Sequence, residues 1–261
     1  MKSQLSIVEK RAISSQNLQN RLSLNKKLGS KDLTRWLFKR YKIKKNEFIL
    51  ELGCGVGNHV LKEAKIIKQK GLILATDYSK KSLGILKKKN NFDNIKIKCV
   101  PMDEIFKYLT KKKIFFDKII SSYAIYYARD PLKVISNCSR FLKPTGYFLI
   151  TAPCYPHTLT SFASHEKTLP KIARKYIDFS TKKLEPYLRK KKIKYKSFLF
   201  ENKLRFKKVD DLLNFYRSTV FYNKKSEKNL IQLFNKNKNK SNYFNIIKSA
   251  KLYKFSKILT K

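Results

Sequence analysis

Residues 51 to 57 read Glu51-Leu52-Gly53-Cys54-Gly55-Val56-Gly57, and Asp77 follows about twenty residues on. Glycines at alternate positions allow left-handed backbone and let the chain approach a ligand closely. A helix opening after Gly57 would aim unpaired N–H groups at that ligand. A carboxylate at Asp77, closing a second strand, can accept hydrogen bonds from both hydroxyls of a ribose. These residues together point to a nucleoside-containing cofactor. The turn lacks the third glycine of the G-x-G-x-x-G dinucleotide fingerprint. Glu51 stands beside it inside the strand. An acid there is awkward for a pyrophosphate and suits an ammonium or sulfonium group.

The elements that must position these residues are legible as periodicity. Phe48 to Leu52 is a short apolar run feeding the glycines, as expected of a buried strand. Val60, Leu61, Ala64 and Ile67 recur at helical spacing. Leu72 to Asp77 forms a second strand, and Ser79 N-caps a helix that runs to about Lys89. Ile95 to Val100 is a third strand, and Ile114 to Ser122 contains a fourth. Asp130-Pro131 opens a helix, Asp as N-cap and Pro at the first position, with Leu132, Ile135, Cys138 and Leu142 turned inward. Pro144-Thr145-Gly146 is expected to turn, and Tyr147 to Thr151 is a fifth strand. Strands alternating with helices over this length imply an α/β fold, a doubly wound, mostly parallel sheet of seven strands.

The flanks are less regular. Residues 1–45 form an N-terminal helical segment or lid, in which Leu33, Trp36, Leu37, Phe38, Tyr41 and Ile43 share an apolar face. Residues 46–153 form the cofactor-binding core. Residues 154–261 supply a cap insertion and the last strands. Within them 154–191 reads as loop and helix, Lys194 to Phe206 as extended chain and Val209 to Tyr216 as an amphipathic helix. Residues 222–246 read as a solvent-facing helix or loop, and Ser249 to Ile258 as a last strand.

Composition bounds the partners. Apolar residues make up 42% of the 261, enough for a real core, so wholesale disorder is excluded. The 61 Lys+Arg against 18 Asp+Glu give a formal charge of +43, which invites a nucleic-acid reading. Roughly five in six of those cations are Lys, however, and Asn, Ile, Tyr and Phe are plentiful, as AT-rich coding would produce at tolerant surface sites. Arg, which suits bidentate phosphate and base contacts, is scarce. No specific nucleic-acid partner is therefore expected. No apolar run approaches a membrane span, and the first thirty residues lack the apolar stretch of a secretory signal. Cys54, Cys99, Cys138 and Cys154 match no zinc pattern and form no CxxC pair. Free thiols and no metal are expected, in a cytoplasmic protein.

The motifs combine into a recognisable set. Leu50 to Gly57 is joined by Asp77-Tyr78-Ser79, Met102-Asp103 after the third strand, Phe116 to Ser122 on the fourth, and Phe141-Leu142-Lys143-Pro144-Thr145-Gly146-Tyr147 before the fifth. Over about residues 45 to 153 the chain resembles the class I, Rossmann-like S-adenosylmethionine-dependent methyltransferases. Within them it is most similar to the small-molecule branch of the ubiquinone/menaquinone-biosynthesis type. The resemblance implies S-adenosylmethionine as cofactor. It places Glu51, Gly53, Gly55 and Gly57 at the methionine part, Asp77 and Tyr78 at the ribose, and Met102 and Asp103 at the adenine. Ser122 lines the pocket. Many relatives carry a pair of His after the fourth strand, where this chain has Ala124-Ile125-Tyr126-Tyr127. Tyr126 and Tyr127 are thereby the candidate catalytic residues, and Arg35 and Trp36 the candidate substrate contacts. The expected function is methyl transfer to a small-molecule acceptor by in-line displacement. The alternatives are an RNA or protein methyltransferase and a non-catalytic binding or scaffold protein.

Overall fold

The computed structural model describes residues 11, 14–155, 176–238 and 242–258. Its helices and strands follow in chain order. Helices α1 (Ser15–Leu28) and α2 (Leu33–Tyr41) precede strand β1 (Phe48–Leu52) and helix α3 (Val60–Ile67). Strand β2 (Leu72–Asp77), helix α4 (Lys80–Lys89), strand β3 (Ile95–Cys99) and helix α5 (Ile105–Lys112) come next. Strand β4 (Phe116–Ser122), helix α6 (Pro131–Ser139) and strand β5 (Leu142–Pro153) follow. Beyond these lie α7 (Glu185–Lys190), β6 (Tyr195–Phe206), α8 (Val209–Ser218), α9 (Glu227–Lys238) and β7 (Phe244–Phe255).

The seven strands form one sheet in the order β3-β2-β1-β4-β5-β7-β6. Strands β1 to β5 pair in parallel. Their runs are apolar on both faces, as a sheet covered on both sides requires: Ile49, Leu50, Leu52, Ile73, Ile119, Ile120, Phe148 and Ile150 are all buried. Each such Leu or Ile contributes about 1.5–3 kcal/mol by leaving water. Phe148 stacks on Phe255 with ring centroids 5.3 Å apart. At the opposite end of the strands, the Asp117 carboxylate accepts the Phe48 N–H at 2.8 Å and the Lys143 ammonium at 2.7 Å. That one side chain ties the starts of β1, β4 and β5 together.

Capping fixes the helix ends. Ser79 Oγ accepts the Ser82 N–H at 3.2 Å, and Asp130 accepts the Lys133 N–H at 3.0 Å with Pro131 at the first position. Lys87, Lys88 and Lys89 sit in the last turn of α4, where the helix dipole favours cations.

The chain divides into two compact units. One comprises the described residues of Thr34–Ala152, Phe179–Leu199 and Lys251–Lys261. The other comprises those of Met1–Leu33, Pro153–Asp178 and Phe200–Ala250. The second has its own core, in which Leu204, Phe206, Leu212, Phe215, Leu230, Phe234, Phe244 and Ile246 meet. Here Asn202, 3% exposed, accepts the Lys31 N–H at 2.9 Å.

Four expectations are corrected. Leu142 belongs to β5, and α6 buries Val134, Ile135 and Cys138 while Leu132 is only half-buried. Pro144-Thr145-Gly146 continues β5 as an irregularity. Phe116 pairs with Leu142 but Lys118 with Tyr147, so β5 carries extra residues there without leaving the sheet. Residues 222–246 are not a solvent-facing stretch: α9 buries Leu230 and Phe234, and β7 begins at Phe244. The last strand thus starts five residues before Ser249 and ends at Phe255. Apolar anchors are spaced widely among Lys and Asn in this part of the chain, which hides the period. Of the loop and helix expected over 154–191, residues 156–175 lie outside the described residues.

Candidate active site

After β1 the chain builds β2 and β3 on one side, then crosses to place β4 on the other. The strand order therefore reverses at the β1/β4 boundary, the place where open parallel sheets leave a crevice at their carboxyl ends. The glycine turn opens there. Gly53, Gly55 and Gly57 have φ of 75°, 56° and 81°. A Cβ on Gly53 would lie 2.4 Å from the Ala124 Cβ, beyond β4, and 2.6 Å from the Met102 Cε, beyond β3. A Cβ on Gly57 would lie 2.2 Å from Leu86 Cδ1 on α4. The turn is thus wedged among three neighbouring segments and admits no side chain at these two points.

Its hydrogen bonds hold it open. Gly53 and Cys54 both donate to the Thr76 carbonyl, at 2.8 and 2.9 Å. Thr76 Oγ1 donates to the Glu51 carbonyl, and Ser121 Oγ to the Leu52 carbonyl. Asp77 Oδ2 accepts the Gly55 N–H at 2.8 Å, and Oδ1 accepts the Ser79 N–H at 2.8 Å. Burial pushes the Asp77 carboxyl up from its ordinary range, while the N–H groups of Ser79, Gly55 and Tyr78 pull it back. Each carboxylate oxygen keeps a further lone pair for a ligand hydroxyl. The N-cap residue of α3, His59, makes no side-chain capping bond.

Glu51 is buried in β1, 2% exposed. Burial and the neighbouring Glu63 carboxyl drive its ionisation well above the usual range. Glu63 comes from α3 and is fully buried; burial raises it to about 7, with Glu51 and Lys118 lowering it in part. Tyr41 of α2 completes this group. Its phenol is pushed up by burial and by Glu51. Lys118, 5% exposed, is ion-paired with Glu47.

The remaining candidates divide. Met102 lies against Gly53, and Ser122 closes β4 opposite Thr151 of β5. Tyr78 is 55% exposed beside Asp77. Asp103 accepts the backbone N–H groups of Arg129 and Asp130, both at 3.2 Å, and so ties the segment after β3 to the start of α6. Tyr126 is buried, with its ring centroid 4.7 Å from Tyr127 and 6.2 Å from Phe179. Tyr127 is half-buried. Trp36 lies under the Arg40 guanidinium at 3.9 Å, and Arg35 is exposed. All four cysteines are free thiols. Among the described residues no cluster of three metal-ligating side chains occurs, and no helix is long and apolar enough to cross a membrane.

Sequence reasoning missed Glu63 and placed Tyr41 only on an apolar face. Glu63 follows Val60 by three positions and precedes Ile67 by four, so it shares their buried face. An acid on an apolar stripe was the available signal.

A parallel sheet with a wedged glycine turn at its switch point, a buried acid beneath it and an acid closing the next strand defines a Rossmann-like domain for a nucleoside cofactor. The model of the methyltransferase domain family matches residues 43–238, well over half of the chain, and the chain belongs to that family. It is 26% identical over 140 residues to the demethylmenaquinone methyltransferase of Lactobacillus johnsonii, a match covering 52% of this chain and 57% of that one. It is 31% identical over 109 residues to the tRNA N(3)-methylcytidine methyltransferase Mettl2 of Drosophila melanogaster, covering 39% of this chain and 33% of that one. The chain thus spans less than two thirds of either relative. Its fold is that of the YcgJ protein from Bacillus subtilis, at a TM-score of 0.58 and 16% identity, over 87% of this chain and 98% of that one.

Proposed function

We propose that this chain binds S-adenosylmethionine at the glycine turn and transfers its methyl group to a small-molecule acceptor. The observation that carries the reading is the buried Glu51 carboxyl beneath a turn whose Gly53 leaves no room for a Cβ. An acid so placed suits a ligand ammonium, and the backbone at Gly53, Gly55 and Gly57 can lie against the ligand. Asp77 is oriented by two backbone N–H groups and presents its free lone pairs to ribose hydroxyls. Met102 flanks the base and Tyr78 the ribose. Asp103 acts there through the segment it orders. Ser122 lines the pocket wall.

When bound, S-adenosylmethionine supplies a methyl group already activated by its sulfonium for in-line displacement. The protein's part is to hold donor and acceptor aligned and to exclude water. Tyr127, the less buried of the tyrosine pair, is assigned to the acceptor wall. Tyr126 supports it from the core, and Arg35 and Trp36 contribute on the substrate side. The similarity to a demethylmenaquinone methyltransferase supports a small acceptor. The reading places the reaction in the cytoplasm.

Methylation of RNA is the second reading. It is favoured by the +43 charge and by the similarity to a tRNA methyltransferase. Two experiments test the assignment. A thermal melt with S-adenosylhomocysteine, against NAD and ATP, should show a selective rise of roughly 5–10 °C at about 100 times Kd. Labelled methyl incorporation should then favour a small-molecule extract over total RNA; the reverse preference selects the RNA reading. A melt that shifts without incorporation into either selects a binding protein without turnover.

A further inference from the structure

Two carboxyls meet out of water beneath the glycine turn. Glu51 belongs to β1 and Glu63 to α3; they are 2% and 0% exposed, and each carboxyl lies in the field of the other. Ionised carboxylates only accept, so a bond between them needs a proton. With both groups ionised, Glu51 Oε1 and both Glu63 oxygens have no donor among the described residues. One proton held between the two removes both the repulsion and the missing donor.

The surroundings do not supply a substitute. From α2, the Tyr41 phenol faces Glu51 and stays protonated. From β4, Lys118 reaches Glu63 with its field, but its ammonium is paired with Glu47. From the turn, the Cys54 thiol is kept protonated by burial first, and by the fields of Asp77, Glu51 and Glu63. His59 packs edge-on to Tyr41 with ring centroids 6.3 Å apart. The pair is therefore short of positive charge in the free protein.

We propose that Glu51 and Glu63 share one proton in the free protein and release it to solvent when a cationic ligand group settles against Glu51. Glu63 is then a positioning residue: it sets the charge that the turn presents to the cofactor. The inference rests on the cofactor reading above. The balance is simple. A hydrogen-bonded pair of charge −1 takes up one ammonium, loses one proton to the buffer and becomes a pair of charge −2. Cofactor affinity then depends on pH. Below the titration of the pair it falls up to tenfold for each pH unit.

The test uses the whole chain and S-adenosylhomocysteine, which carries the ammonium without the sulfonium. Infrared spectroscopy at pH 6 should show the carbonyl stretch of a protonated carboxylic acid, and saturation with S-adenosylhomocysteine should remove it. Calorimetry in two buffers of different ionisation heat should find close to one proton released where the pair holds a single proton, and a release that vanishes as the pH rises above the titration of the pair. In Glu63→Gln the amide donates to Glu51, the titration midpoint falls by a pH unit or more, and the release at pH 6 shrinks. Glu63→Asp, which keeps a carboxyl, restores part of it and serves if the Gln variant does not fold. A free protein without the band, a midpoint unmoved in Glu63→Gln, or a band that survives saturation overturns the coupling. Failure of S-adenosylhomocysteine to bind, with the band present and sensitive to Glu63→Gln, instead overturns the cofactor reading.

Discussion

Asp77 and Gly55 are joined across the mouth of the sheet: the Asp77 carboxylate accepts the Gly55 N–H at 2.8 Å with one oxygen and the Ser79 N–H at 2.8 Å with the other. One side chain thus holds the turn after β1 to the start of α4 and faces the proposed ribose position. Asp77→Ala removes both the ligand contact and the brace. Bonds to a charged group are worth about 1.5–3 kcal/mol each. S-adenosylhomocysteine affinity should fall by about 100-fold or more, as titration calorimetry would show. Asp77→Asn, which keeps one acceptor, should lose less.

Gly53 tests the wedge. A Cβ there meets Ala124 and Met102 at 2.4 and 2.6 Å, at a φ of 75°. Overpacking costs about 1–3 kcal/mol and the left-handed backbone about 1–2 more. Gly53→Ala should lower Tm by roughly 5–15 °C and abolish S-adenosylhomocysteine binding. A Gly84→Ala control, where nothing lies within 4 Å of the new Cβ, should leave binding unchanged. Equal melts for the two variants would show that the turn is not wedged.

Glu63 predicts an unusual pH dependence of stability. Its folded-state ionisation is raised to about 7 from an ordinary value of 4.5. The native state therefore holds more protons than the unfolded state between those values. The contribution of Glu63 to stability is fully present below about 4.5 and is lost as pH rises through 7, an amount on the order of 3 kcal/mol. Glu227, lowered to about 2 by Arg217, has the opposite sign, and its contribution is lost only as pH falls below the ordinary carboxylate range. Denaturant midpoints of Glu63→Gln and wild type, compared at pH 5 and pH 8, isolate the first effect. The variant should gain on wild type at pH 8.

Tyr126 and Tyr127 should separate by role. Tyr126 is buried against Phe179, so Tyr126→Ala should cost about 3–5 kcal/mol while Tyr126→Phe leaves the melt within a few degrees. Tyr127→Phe should leave S-adenosylhomocysteine binding intact and lower turnover, read as kcat with the acceptor once it is found. Unchanged kcat in both Phe variants would leave the acceptor wall to other residues.

The core was legible because its physics is local. Phe48–Leu52 and Leu72–Asp77 are continuous apolar runs closed by turn residues, and both strands fall on those bounds. Ser79 and Asp130 announce their helices by side-chain chemistry alone. The glycines and Asp77 are likewise spelled out by spacing, and the structure brings them together. What escaped depends on partners far along the chain. Strand β5 starts at Leu142 because Phe116 waits beside it, and no window of sequence contains both. Phe234 and Phe244 are separated by lysines and asparagines, yet their rings pack 6.0 Å apart. Glu63 sits on the buried face of α3, and its role shows only once β1 supplies the acid facing it.

Six acids of this chain are engaged inward. Asp117 fastens the starts of three strands, Glu47 holds Lys118, Glu185 holds Lys251 and Tyr253, and Asp77 braces the turn. Glu51 and Glu63 are sealed from water. With 61 cations against 18 anions, and six of the anions committed to internal fastening, cations far outnumber anions in the outer shell. Such a shell repels itself over the roughly 8–10 Å that physiological salt leaves unscreened. Added salt should therefore tighten this protein where it would loosen one held by surface ion pairs. The molecule is a folded polycation that draws its counter-charge from the medium around it.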